Sequence, residues 1–123
     1  MILFYPSNDH HGRRLGNEVA PIFQKEKIVV VHKIESLVKF LTQPNNTHKV
    51  LLFLAGSNDQ LQQLSNNIDL LDNLKIILVL PDESKTIIHT ACTLYPSYMT
   101  NVFSDYKDVR DVLIKIKKRF HYL

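Results

Sequence analysis

Five short runs dense in β-branched and aliphatic residues recur along the chain, separated by stretches whose apolar residues fall three and four apart. The runs are Met1–Tyr5 (MILFY), Lys27–His32 (KIVVVH), Lys49–Ala55 (KVLLFLA), Lys75–Leu80 (KIILVL) and Tyr98–Phe103 (YMTNVF). Strand side chains alternate with period 2 and helix side chains repeat with period 3.6, so the switching pattern predicts repeated strand–helix units. The second, third and fourth runs are apolar at consecutive positions. A strand covered on both faces has that pattern, which predicts a parallel sheet with helices on either side. Strict alternation beginning on a strand favours a three-layer α/β architecture, a doubly wound sheet of five parallel strands in the order 2-1-3-4-5.

The helical stripes between the runs are Leu15, Val19, Ile22 and Phe23, then Ile34, Leu37, Val38 and Leu41, then Leu61, Leu64, Ile68 and Leu71. A fourth is Ile88, Ala91, Cys92 and Tyr95, closed by Pro96, and the last is Val109, Val112, Leu113, Ile116 and Phe120. Pro21 predicts a break near Ala20, and Asn66 and Asn67 predict an early end to the third helix. Gln43–Thr47 and Ser57–Asp59 carry turn chemistry, with Asn58 and Asp59 expected to cap the third helix. Asp105 and Asp108 open the last helix and Lys115, Lys117, Lys118 and Arg119 close it, an order that suits the helix dipole.

A chain of 123 residues, 45% hydrophobic and 22% charged, suits one domain over residues 1–123 with a single core. No apolar run approaches the roughly 20 residues of a membrane-spanning helix, and the first residues show neither a basic leader nor a small-residue cleavage site. A cytoplasmic protein without membrane contact is therefore expected. Cys92 is the single cysteine, which excludes an internal disulfide and a cysteine-based zinc site, and its apolar surroundings predict a buried thiol. With no flanking charge to lower its pKa, Cys92 is not expected to be a redox nucleophile. The net charge of +3, from 15 basic and 12 acidic residues, is too balanced to argue for nucleic acid, even with a basic last helix.

In a sheet of this order, ligand sites lie beyond the carboxyl ends of the strands near the switch in winding. The segments to inspect are Pro6–His11, Ala55–Asp59, Pro81–Ser84 and Asn101–Ser104. In the last of these, Thr100-Asn101-Val102-Phe103 precedes the helix that starts near Asp105. That stretch is similar to the Thr-Lys-Pro-Phe segment of the receiver domains of bacterial two-component response regulators, which the chain also resembles in the order of its elements. The resemblance implies a CheY-like, flavodoxin-like fold.

Receiver chemistry uses an acidic pair after the first strand to hold magnesium, a phosphoacceptor Asp at the third strand end, a hydroxyl at the fourth and a Lys on the fifth. Carboxylate oxygens are needed for the hard cation, and a carboxylate nucleophile for the phosphoryl group. By that resemblance the corresponding residues here are Pro6, Ser7, Ala55, Pro81 and Asn101, and none can play its part. Leu54, Gly56 and Ser57 supply no substitute carboxylate. The resemblance thus implies an atypical receiver lacking its phosphoacceptor: a non-catalytic signalling or protein-interaction module that needs no cofactor.

Receivers use the face formed by the fourth helix, fifth strand and fifth helix for partners and dimers, so protein contacts, including a homodimer, are expected through the last strand and helix. The residues for that surface are Tyr98, Tyr106, Arg110, Ile114 and Lys117, with Tyr95, Lys107, His121 and Tyr122 nearby in sequence. The simpler reading is a solvated basic helix face.

The competing reading, from another class, is a small enzyme or ligand-binding domain of flavodoxin-like fold acting on a phosphorylated or anionic small molecule. Ser7, Asn8, Asp9, His10 and Arg13, followed closely by Arg14, would form its anion site at the opening of the first helix. The simpler account has Asn8 or Asp9 capping that helix, with the histidines and arginines in solvent. A metal on His10 and His11 is not expected, because neighbouring helical residues point apart and no third ligand is evident. Asp82, Glu83 and Ser84, and likewise Ser104 and Asp105, are expected to be helix-capping segments.

Overall fold

The computed structural model describes residues 1–23, 28–44 and 48–121, the side chains of Phe120 and His121 excepted. Lys27 of the second apolar run, Asn45 to Thr47 of the expected turn, and Tyr122 lie outside the described residues. The elements are β1 (Ile2–Phe4), α1 (His10–Val19), β2 (Val29–Val31), α2 (Ile34–Leu41), β3 (Val50–Leu54), α3 (Asn58–Ser65), β4 (Lys75–Leu80), α4 (Lys85–Cys92), β5 (Tyr98–Asn101) and α5 (Lys107–His121). Short 3₁₀ turns follow α1 at Ala20–Phe23, where Pro21 forbids a continued α-helical ladder, and α3 at Ile68–Leu71. The strands form one parallel sheet in the order β2-β1-β3-β4-β5, as the alternation predicts. This is a doubly wound, flavodoxin-like three-layer arrangement.

The period of 2 sorts each buried strand onto two cores. Leu51 and Phe53 of β3 join Ile2, Phe4, Ile76 and Leu78 beneath Leu37 of α2, Leu61 and Leu64 of α3, and Ile87 and Ala91 of α4. Leu52 and Leu54 join Leu3, Ile77 and Val79 on the opposite face, beneath Leu15 and Val19 of α1 and Val109 and Leu113 of α5. Phe4 and Phe53, paired in register across β1 and β3, stack with ring centroids 4.3 Å apart and planes 6° from parallel. Each fully buried leucine or phenylalanine of this kind contributes roughly 1.5–3 kcal/mol relative to exposure.

Several expectations are corrected. β2 is an edge strand, and its Val30 is 44% exposed: with Val29 and Val31 turned to the α2 face, Val30 points to the opposite face, which is open there. The inward stripe of α4 is Ile87, Thr90, Ala91 and Leu94, one residue earlier than expected, so Cys92 and Tyr95 are exposed. Thr90 can face inward because its hydroxyl donates to the Thr86 carbonyl at 3.0 Å within its own helix. Ile68 leaves its stripe and is 36% exposed, since α3 ends at Ser65 and the 3₁₀ turn changes the period. Ser57, and not Asn58 or Asp59, is the N-cap of α3, its side chain accepting from the Gln60 amide.

Candidate functional site

The strand-end crevice is lined by backbone and amide groups that bond to one another. Ala55, just past β3, is fully buried and its amide donates to the Val79 carbonyl at 2.9 Å. Pro6, after β1, lies against Gly56 so closely that a Cβ built on Gly56 would stand 2.8 Å from Pro6 Cγ. The Gly56 amide donates to Gln60 Oε1 at 2.8 Å on this side of the crevice. On the other side Asn101 Nδ2 donates to Glu83 Oε1 at 2.7 Å, and Asn101 Oδ1 accepts from the Phe103 amide at 2.9 Å. Pro81 is half-buried between these loops, and Ser7 is exposed. Asp82 accepts from the Ser84 amide at 2.8 Å, and Ser84 caps α4, so this acidic segment is structural, as expected. Ser104 and Asp105 likewise accept from the Tyr106 and Lys107 amides. No cluster of three or more His, Cys, Asp or Glu placed to hold a metal ion occurs among the described residues.

The loop from Ser7 to Arg14 divides into structural and open parts. Asn8 takes a left-handed conformation with φ 63°, which delivers Asp9 to the N-cap. Asp9 Oδ1 accepts from the His11 and Gly12 amides at 2.9 and 3.3 Å, so its carboxylate belongs to α1. The rings of His10 and His11 lie 4.0 Å apart and tilted by 37°, which corrects the expectation that they point apart. Arg14 leaves the cluster altogether. One terminal nitrogen of its guanidinium donates to the Ser104 carbonyl at 2.6 Å and the Val102 carbonyl at 3.3 Å, while Cζ stands 4.5 Å over the Tyr106 ring.

Arg13 behaves differently: it is exposed, and its side chain makes no hydrogen bond or ion pair with the described residues. With Tyr5, Ser7, Asn8 and His32 it lines a hollow of about 250 Å³ beside the end of β2. His32 Nδ1 is 3.0 Å from the Tyr5 carbonyl, which can only accept, so Nδ1 carries a proton. The two rings meet edge to face at 4.7 Å. Three of the five residues expected in an anion site, Ser7, Asn8 and Arg13, therefore come together, whereas Asp9 caps the helix and His10 lies apart from the hollow. His32 and Tyr5 were missed in the sequence reading. Strand order supplies the missing signal, because the Phe4↔Val31 register sets the residue after β2 beside the residue after β1.

The expected interface on the last strand and helix is also redrawn. Tyr106 is fully buried with φ 63°, its ring turned into the core under Arg14, so it presents no surface. Burial pushes its phenol above the ordinary tyrosine value, an effect that the Arg14 guanidinium partly offsets. Lys117 donates to the Ile22 carbonyl and stands 5.6 Å from the Phe23 ring centroid, so it ties α5 to the turn after α1. Tyr98 is half-buried, and burial first and the Asp108 carboxylate second hold its phenol above the ordinary value. Arg110 is exposed and pairs with Glu18 at 3.6 Å, and Ile114 is 38% exposed. The most exposed aromatics among the described residues are Tyr95 (84%) and Phe103 (77%), which flank β5 at its two ends. Strand alternation past β5, with Val102 buried, could have placed Phe103 outside.

In comparisons with known proteins, the chain matches no protein-family model, no curated protein and no solved structure. No helix among the described residues is long and apolar enough to cross a membrane.

Proposed function

We propose that this chain is a non-catalytic signalling or interaction module, a receiver-like domain without the aspartyl-phosphate switch, which acts on a protein partner through β5 and α5. The observation that carries this reading is the state of the strand ends. Pro6 lies against Gly56, Ala55 is buried, and Asn101 is bonded to Glu83, which supports a strand end that works without a magnesium cage or a phosphoacceptor carboxylate. Exposed Tyr95 and Phe103 at the two ends of an edge strand, with Ile114 on the adjoining helix, favour contact by that side. The partner to test first is a second copy of the chain.

The experiment is intact mass and light-scattering mass after incubation with magnesium and acetyl phosphate or beryllofluoride. The expected result is no adduct, no beryllofluoride binding, and a concentration-dependent dimer that Phe103→Ser weakens at least tenfold. A phosphoryl adduct would end this reading, and a strictly monomeric chain at high concentration would remove the second copy as partner.

A further inference from the structure

The hollow at Arg13 does not stand alone. Arg13 and Tyr5 also line a second hollow of about 390 Å³, whose other walls include Leu3, Ala20, Ile28 and Val30. The two hollows share Tyr5 and Arg13 as walls, the smaller lined by polar groups at the strand end and the larger by apolar residues along β2. The larger, at about 390 Å³, falls within the roughly 300–1,000 Å³ typical of small-molecule sites.

Charge and burial together select the occupant. Arg13 brings a guanidinium with no partner among the described residues, and His32 adds a ring held in place by the Tyr5 carbonyl and ring. Among the described residues no carboxylate lines either hollow, and Asp9 and Glu18, which adjoin the lining residues Asn8 and Asn17 in sequence, are engaged, Asp9 as N-cap and Glu18 with Arg110. Ser7 and Asn8 add hydroxyl and amide groups at the same end. A guanidinium is always charged and offers a planar fork of donors that matches a phosphate or carboxylate. The apolar end presents Val30, 44% exposed although it lies in a strand and beside a helix, with the half-buried Ile28 next to it. Burying such surface under an aliphatic tail is favourable.

We propose that this cleft binds a free amphiphilic anion, its acidic head on Arg13 and His32 and its apolar tail along Leu3, Ile28 and Val30. This goes beyond the interaction module, since it places a small-molecule input on the edge of the sheet opposite β5.

The test is amide NMR of the full chain titrated with octyl phosphate below its micelle concentration, beside inorganic phosphate and octanol. Octyl phosphate is expected to shift the amides of Ser7, Asn8, Arg13, Val30 and His32, and to bind at least tenfold more tightly than either fragment. Arg13→Gln is expected to weaken octyl phosphate tenfold or more while leaving octanol unchanged, and Val30→Asn to weaken octyl phosphate but not phosphate. An unchanged spectrum away from the cleft shows that each variant is folded. The proposal is overturned if inorganic phosphate binds as tightly as octyl phosphate, if Arg13→Gln has no effect, or if the shifts centre on His10 and His11. Sedimentation with phosphatidic acid vesicles in the absence of octyl phosphate binding also overturns it, since the ligand would then be a membrane surface.

Discussion

Arg14 stands over the ring of Tyr106, 4.5 Å from its centroid, and the same guanidinium donates to the carbonyls of Val102 and Ser104. One side chain of α1 thus holds down the loop that leads from β5 into α5. Arg14→Ala removes a cation–π contact and leaves two carbonyls to water, which predicts a loss of about 1–3 kcal/mol in urea unfolding. Arg13→Ala, one residue earlier and without those partners, is expected to change stability by less than about 0.5 kcal/mol. Equal effects for the two would refute the division of labour.

Two glycines of α1 predict opposite outcomes for the same substitution. A Cβ on Gly12 would stand 2.3 Å from the Tyr5 ring and 2.6 Å from Tyr5 Cβ, whereas on Gly16 it would meet only Leu3 Cδ2, at an ordinary 3.5 Å. Gly16→Ala should therefore express the intrinsic helix preference and stabilise by up to about 1 kcal/mol. Gly12→Ala forces helix and strand apart and is expected to destabilise by about 1–3 kcal/mol despite that preference. Thermal unfolding of the two variants, each compared with the parent, decides the matter.

Acid lability should come in part from His48. Burial first, and then the charged Met1 amino group 2.8 Å from Nδ1, lower its pKa below the ordinary 6.5. The unfolded chain then binds a proton at a pH where the folded chain does not. Stability from this group is therefore full above pH 6.5 and falls as pH drops through the lower folded value. His48→Gln is expected to flatten that limb of the stability–pH profile, measured by denaturant midpoints at successive pH values.

The sheet was legible because its signal is carried by many residues at once: Leu51, Leu52, Phe53 and Leu54 can all be buried only if helices cover both faces. The helix faces were legible where the stripe is regular, as with Leu15 and Val19. They were not where a polar residue faces inward, as Thr90 does through a bond to its own helix. The candidate site depended on features that local pattern does not carry. Tyr106 reads as a surface tyrosine until a left-handed turn at that residue swings its ring inward. Arg13 and Arg14 read as one basic pair until tertiary contacts engage one and leave the other. His32 has no local signature; parallel pairing alone brings it to Tyr5 from 27 residues away.

An aspartate placed where the receiver resemblance would put the phosphoacceptor should not create receiver chemistry. Ala55 is fully buried, its amide is engaged by Val79, and its neighbour Gly56 lies against Pro6. An aspartate at position 55 would place a carboxylate in this setting with Pro6 and Ser7 where the receiver resemblance would require the acidic pair. Without a metal or a basic partner, burial disfavours the charged form and drives its pKa up, so the group stays neutral or forces the loop open. Ala55→Asp is therefore expected to lower stability by about 3 kcal/mol or more. It should also give no adduct on intact mass with acetyl phosphate and magnesium, because a poorly ionised carboxylate without a cation is neither nucleophile nor metal ligand. Adduct formation in this variant would mean that the crevice can still recruit magnesium through side chains now engaged elsewhere, Glu83 being the nearest in kind, and that the Asn101–Glu83 bond is a latch rather than a seal.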